Sequence, residues 1–430
     1  MDSLFSTLEE QLKPELPTLT EAQKQLLQET KIDENQPGTI LQDFQVMIDY
    51  LQQKAIEVSG VNHLLPLKIV SEFNSRLSRP IDVQLKRPVQ KSYPYINGLY
   101  LLLRCSGITQ IKKQGKKQLL VLDEEILASW SNLNPTEKYF NLLETWLLQA
   151  NSEILGEQRD SFSDLFRCIQ FWTRVPDKGI KFAKYEHQQD MSYFPRFYNI
   201  GLLDLFGFIT IKNGKTAAGK GWRIASIQRL PFGDAILKLI YIYAIKEELS
   251  IDGDAADIEA NISLGKLQPY FQEYFPEWQN NITIPPTEFI DGVYIFKVSL
   301  DKAWRRISIP AKQKLSLLAA VILDAFDFDN DHLYEFSYKS RFGKTITIHH
   351  PYTERTPMVN KVKIGDLNLQ AGTTMTYLFD FGDNWKFNVE LEAIDPPDSK
   401  NKKAKILEVH GKAPKQYYDQ DDDWDENEEE

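Results

Sequence analysis

Two glycines a hundred residues apart, Gly107 and Gly207, each stop an apolar helical stretch and release a short basic hairpin. A glycine just past a helix supplies the left-handed turn that ends it, so this pairing constrains the chain more than any other feature. Before the first glycine, Tyr93-Pro94 opens a helix with Leu99, Leu102 and Leu103 on one face. After it come Ile108–Ile111, a turn through Lys112-Lys113-Gln114-Gly115-Lys116-Lys117, and Leu119–Leu122. Before the second, Phe194-Pro195 opens a stretch holding Leu202, Leu203, Leu205 and Phe206. Ile209-Thr210-Ile211 follows, then Asn213-Gly214, a strong hairpin signal, a strand at Trp222-Arg223-Ile224 and a helix from Gly233 through Leu239. Ile111 matches Ile211 and Lys112 matches Lys212. The pattern predicts two degenerate copies of one winged-helix-like unit, over 61–150 and 151–285.

A winged helix can lay one helix in the major groove and its hairpin on the backbone. Lys112, Lys113, Lys116 and Lys117 in the first hairpin suit phosphate, as do Lys212, Lys215, Lys220 and Arg223 in the second. Lysine-rich hairpin tips also serve solubility and block edge pairing, and such units often bind protein. DNA and a protein therefore both stand as expected partners. Charge is segregated in the same sense. The whole chain carries −11, but residues 416–430 hold nine acids and no base, leaving −11 + 9 = −2 for the rest. Residues 61–130 carry eleven basic against five acidic residues.

No apolar run reaches the roughly 20 residues that span a bilayer, so no membrane role is expected. The first residues, Met1-Asp2-Ser3-Leu4-Phe5 followed by Glu9 and Glu10, do not read as a signal peptide. Cys105 and Cys168, both in apolar surroundings, fit free thiols in a reducing cytoplasm.

Pro285-Pro286 marks a change of period. Tyr294, Phe296, Val298 and Leu300 alternate as the inner face of a strand, and a helix over about 311–326 buries Leu315, Leu318, Val321, Ile322 and Ala325. Further strands are expected near 306–309, 333–338, 344–349, 362–364, 374–379, 385–391 and 405–410. The expected architecture is multidomain. A mainly α N-terminal region has helices over 1–60 and the two winged-helix-like units. An α+β domain follows over 286–414, with a mostly antiparallel sheet and one main helix, and residues 415–430 form a disordered acidic tail.

Three polar-aromatic clusters punctuate this last third: Trp304-Arg305-Arg306, Asp329 to Tyr334 with Asp331 and His332, and Asp380-Phe381-Gly382-Asp383-Asn384-Trp385. At these spacings they resemble the plasmid pRiA4b ORF-3-like family, also described as insertion-element passenger proteins of TnpR-like kind. The resemblance implies an α+β fold and a mobile-element setting, and it implies no reaction. The family pattern usually continues with an acidic, glycine-paired stretch, where this chain reads Gly411-Lys412-Ala413-Pro414-Lys415.

Asp329, Asp331, His332, Asp380 and Asp383 are the candidate catalytic residues of an alternative reading, a metal-assisted enzyme acting on nucleic acid. Against an EF-hand, the sixth loop position is His332 instead of glycine and the twelfth is Tyr338 instead of glutamate. Asp-Phe-Gly-Asp-Asn-Trp is equally a good turn. Gly214-Lys215-Thr216 and Gly343-Lys344-Thr345 lack the earlier glycine of a phosphate loop. The first expectation is a non-enzymatic adaptor or accessory protein with no cofactor and no metal.

Overall fold

The computed structural model describes residues 18–158, 162–249, 264–286, 288–398 and 403–417. The acidic run expected from Asp419 onward lies outside them. The chain divides into two compact units that meet in sequence at Ile284 and Pro285.

In the first unit, α1 (Glu21–Glu29) and α2 (Ile40–Gln53) lead into β1 (Ile56–Val58), α3 (Leu67–Arg76), α4 (Pro94–Cys105), β2 (Thr109–Gln114) and β3 (Lys117–Leu122). Thr20 caps α1 as its sequence predicts, accepting from the Gln23 amide. Helices α5 (Glu124–Ser131) and α6 (Pro135–Glu144) follow, then α7 (Asp164–Arg174), β4 (Ile180–Lys181), a 3-10 turn at Glu186–Ser192, α8 (Phe197–Leu205), β5 (Ile209–Asn213) and β6 (Ile224–Arg229). The unit closes with α9 (Pro231–Leu249) and α10 (Gln268–Phe271). One hydrophobic core runs through all of it, from Leu19 to Ile282.

Two stretches of this unit follow a similar order of elements, the first of them beginning before the expected bound at residue 61. The first reads α2, β1, α3, α4, β2, β3, and its sheet has the order β1-β3-β2. The second reads α7, β4, a 3-10 turn where the first has α3, then α8, β5, β6, with sheet order β4-β6-β5. Gly107 and Gly207 stand at φ 79° and 74°, the left-handed stops that their positions require. The two stretches meet through α4 and α8. Every residue of α4 is buried, and all of α8 after Phe197. A Cβ on Gly98 would lie 2.7 Å from Leu202 Cγ, and one on Gly201 would lie 3.3 Å from Tyr95. Asp204 locks the contact, accepting from Tyr95 Oη at 2.7 Å and Arg79 Nη1 at 2.6 Å.

Two local expectations change. Asn213-Gly214 does not make a tight hairpin, because Trp222 is pulled inward against Tyr95 and Phe197 and the chain loops through Gly214–Arg223 to reach it. The second copy's helix starts at Phe197, with Arg196 in the left-handed region at φ 83° between it and Pro195.

Glu144, at the end of α6, accepts from the amides of Gly265 and Leu267 and so fastens the segment leading into α10. Burial pushes its carboxyl up to about 7, against the pull of those amides and Lys266. Between the ordinary carboxylate range and pH 7 the folded state therefore holds a proton that the unfolded chain has released. Stability of this unit is expected to fall by about 3 kcal/mol as pH rises through that window. Glu144→Gln removes the titration, and chemical denaturation at a series of pH values is expected to show the slope flattened. An unchanged slope would assign it elsewhere.

The second unit is an antiparallel sheet of seven strands in the order β10-β9-β11-β12-β7-β8-β13. Its strands are β7 (Val293–Leu300), β8 (Ala303–Pro310), β9 (Tyr334–Lys339), β10 (Thr345–His349), β11 (Thr374–Phe379), β12 (Trp385–Asp395) and β13 (Lys405–His410). One long helix, α11 (Leu315–Phe326), packs on it, burying Leu315, Leu318, Ala319, Ile322, Leu323 and Phe326. Val321 and Ala325, expected on that face, are only half-buried. The strand expected at 362–364 is instead a single bridge at Lys363 followed by a 3-10 turn, Ile364–Leu367.

Candidate functional site

Five of the candidate residues lie on two loops at one end of the seven-stranded sheet. Asp329, Asp331 and His332 sit between α11 and β9, and Asp380 and Asp383 sit in the β11–β12 turn. These loops are held in shape by backbone that turns through the left-handed region at Asp327 (φ 59°), Asp380 (φ 55°) and Asn384 (φ 57°), residue types that tolerate it. Register brings the loops together, since Phe379 pairs with Tyr334.

The structure assembles three of the five side chains. His332 Nε2 lies 3.5 Å from Asp380 Oδ2 and 3.7 Å from Asp331 Oδ1. Asp380 also accepts from the Gly382 amide at 2.8 Å, the bond of an Asx turn. Asp329 joins through its backbone, its amide donating to Gln416 Oε1 at 2.6 Å. Asp383 is exposed in the turn. Sequence reasoning missed Gln416 and Tyr417, which fold back over the acidic loop. Tyr417 Oη donates to Asp331 Oδ2 at 2.7 Å, and Gln416 Nε2 reaches Asp331 Oδ1 at 3.4 Å. That Tyr417 bond leads the causes holding the Asp331 carboxyl below its usual range, and it pushes the Tyr417 phenol up to about 12.

Among the described residues no group of three or more His, Cys, Asp and Glu is placed to hold a metal ion. His349 and His350 face apart. His349 Nδ1 lies 3.4 Å from Glu335 Oε2, while the His350 ring packs on Tyr334 at 4.8 Å. The rest of the motif is engaged in contacts within the unit. Arg305 is buried and bonded to carbonyls; Arg306 forks onto Glu392 at 2.6 and 3.2 Å and meets Glu408. Trp304 stacks on His410 at 5.3 Å beneath Lys297 and Arg306. Trp385 packs edge-on to Phe328, and Tyr334 is buried against Tyr377.

The basic candidates fall into two groups. Lys112 and Lys116 are exposed on the β2–β3 hairpin, whose turn uses Gly115 at φ 60°. Lys113 is exposed beside them, and Lys117 pairs with Glu57 at 2.7 Å across the sheet. In the second copy Lys212 and Lys215 are exposed, while Lys220 lies 3.4 Å from Glu186 and 4.7 Å above the Tyr185 ring. Arg223 turns inward, donating to Gln188 Oε1 at 2.9 Å and to the carbonyls of Phe182 and Ile224. It is half-buried and bonded inward.

Residues 293–424 match the family model described as plasmid pRiA4b ORF-3-like protein. Among solved structures, the crystal structure of a protein of unknown function from Methanosarcina mazei Go1 is 28% identical, over 29% of this chain and 72% of that one, with a TM-score of 0.26. No curated protein matches the chain.

Proposed function

We propose that this chain, whose residues 293–424 are a plasmid pRiA4b ORF-3-like domain, is a non-enzymatic adaptor of mobile-element ancestry. In this reading its N-terminal half is a pair of winged helices turned toward each other, and it docks protein instead of reading DNA sequence. The order of helix, short strand, helix or 3-10 turn, helix and hairpin in each stretch, with the short strand paired to the second hairpin strand, supports the winged-helix assignment. The observation that carries the functional reading is the burial of α4 and α8. These are the helices that such a unit would lay in the major groove, and here both are buried, packed on each other and on the surrounding elements. A helix with no free face contacts no base edge.

The polar cluster at the sheet end fits the same reading. Asp331, Asp380, Gln416 and Tyr417 spend their hydrogen bonds on turns and on each other, which is what a structural clasp needs.

Repeated rounds of selecting random duplexes on the full chain are expected to enrich no motif. A recovered motif, bound by the folded protein and lost when exposed residues of the first unit are changed, would falsify the adaptor reading. The exposed Lys112 and Lys116 favour one further contact, with phosphate alone. Random duplex would then bind at about 10⁻⁴–10⁻⁶ M with a steep salt slope. Each of Lys112→Ala and Lys116→Ala would flatten that slope by roughly one unit.

A further inference from the structure

Arg104, in the last turn of α4, is 6% exposed. Its Nη1 donates to Tyr100 Oη at 3.0 Å, and its guanidinium carbon lies 5.7 Å from the centre of the Tyr100 ring. Its Nε is buried with no acceptor. Among the described residues no carboxylate pairs with it, whereas Arg79 has Asp204, Arg229 has Asp234 and Arg306 has Glu392. A guanidinium does not give up its proton in a protein, so this charge persists in the folded state. A buried charge without a partner is costly, and the carbonyl end of α4 offsets only part of that cost.

A second group points to the same place. Tyr100 Oη donates in turn to the His63 carbonyl, in the turn between β1 and α3. Burial and then the Arg104 charge push the His63 imidazole down to about 4. A cation without a carboxylate partner and the half-buried His63 thus stand at the two ends of one hydrogen-bonded chain through the Tyr100 hydroxyl. The β1–α3 turn is exposed at its tip, with Val61 91% accessible, and His63 itself sits in the left-handed region at φ 54°.

We infer that Arg104, with Tyr100 and His63 beside it, binds a small oxyanion, the phosphate or carboxylate group of a ligand, under the β1–α3 turn. The guanidinium supplies N–H donors in a fixed fork that matches either group. Tyr100 holds Nη1 and so sets the plane of the fork, leaving Nε toward the ligand. An anion seated there removes the cost of the unpaired charge and makes protonation of His63 easier.

The test follows His63 by proton NMR in the full chain, titrating pH in chloride, in phosphate and in trifluoroacetate, a carboxylate that stays ionised throughout, at one ionic strength, with His63→Gln to assign the signal. In chloride the midpoint is expected near 4, and in the binding anion at least one unit higher. A shift with phosphate alone identifies a phosphate ligand, with trifluoroacetate alone a carboxylate, and with both an oxyanion site of broad tolerance. In Arg104→Met the midpoint is expected to be the same in all three salts. A midpoint that ignores the anion in the natural chain, or that shifts equally in Arg104→Met, overturns the site. Should Arg104→Met fail to fold, the titration of the natural chain decides alone.

Discussion

Gly207→Ala is expected to destabilise the N-terminal unit by about 3–5 kcal/mol, the sum of a left-handed penalty and a backbone collision. Gly207 ends α8 at φ 74°, and a Cβ there would lie 2.3 Å from the Pro37 carbonyl oxygen. From the other side, a Cβ on Gly38 would lie 2.1 Å from the Leu205 carbonyl oxygen. The chain entering α2 thus presses directly on the end of α8, and neither neighbour is a side chain that can swing away. Gly115 separates the two terms. It has φ 60° in the β2–β3 turn, with open space where a Cβ would stand. Gly115→Ala is expected to cost about 1 kcal/mol, the conformational part alone. Gly38→Ala, at an ordinary φ, is expected to approach the Gly207→Ala loss from the collision alone. Urea denaturation of the three variants measures all of this. A Gly207→Ala loss no larger than that of Gly115→Ala would mean that the close approach contributes nothing.

How far the fold was legible follows from the same glycines. A stop that needs a left-handed residue leaves a mark on the sequence, so Gly107 and Gly207 marked the ends of α4 and α8. The alternation of Tyr294, Phe296, Val298 and Leu300 likewise exposed β7, because a sheet covered on one side imposes a period of two. The meeting of α4 and α8 was harder to read. Its signal was present in a helix apolar nearly all the way round, from Ile96 through Leu103, which only burial on every side explains. Attention to one leucine face concealed it.

Other features carried misleading marks. Asn213-Gly214 has the composition of a tight turn, but local preference lost to the burial of Trp222 further along the loop. Arg223 reads as a basic surface residue and is bonded inward. At the sheet end, Asp331, His332 and Asp380 stand in motif clusters that the fold brings side by side, whereas Gln416 and Tyr417 stand in none. Their partners lie 85 to 87 positions away, and nothing in local spacing encodes such a contact. Arg104 left no mark at all, since the missing counter-charge is a property of the packed state.

Arg305→Met is expected to be the costliest single change in the C-terminal unit, at about 3–5 kcal/mol. The side chain is 4% exposed and points to the helix side of the sheet, where Nε donates to the Ala325 carbonyl at 2.7 Å. That carbonyl belongs to the last turn of α11, whose acceptors have no partner within the helix. Nη1 reaches the carbonyls of Trp304, His410 and Gly411 at 3.0, 2.9 and 3.2 Å, and the guanidinium lies 4.5 Å over the Phe326 ring. One side chain therefore ties the helix end, its own strand and the end of β13. Methionine fills much of the volume but leaves those carbonyls without a donor, at about 1–3 kcal/mol for each that stays buried. Arg305→Lys, with one point charge in place of a fork, is expected to recover only part of the loss. The adjacent Arg306 faces the opposite side of the sheet, paired with Glu392 and Glu408 and more exposed, so Arg306→Met is expected to cost far less. Hydrogen exchange adds a local reading. In Arg305→Met the amides of Lys405–His410 are expected to exchange faster than those of β11 and β12, because β13 is an edge strand that loses its anchor. Equal losses from the two arginine variants, with β13 exchange unchanged, would show that the carbonyl cluster does not hold the sheet edge.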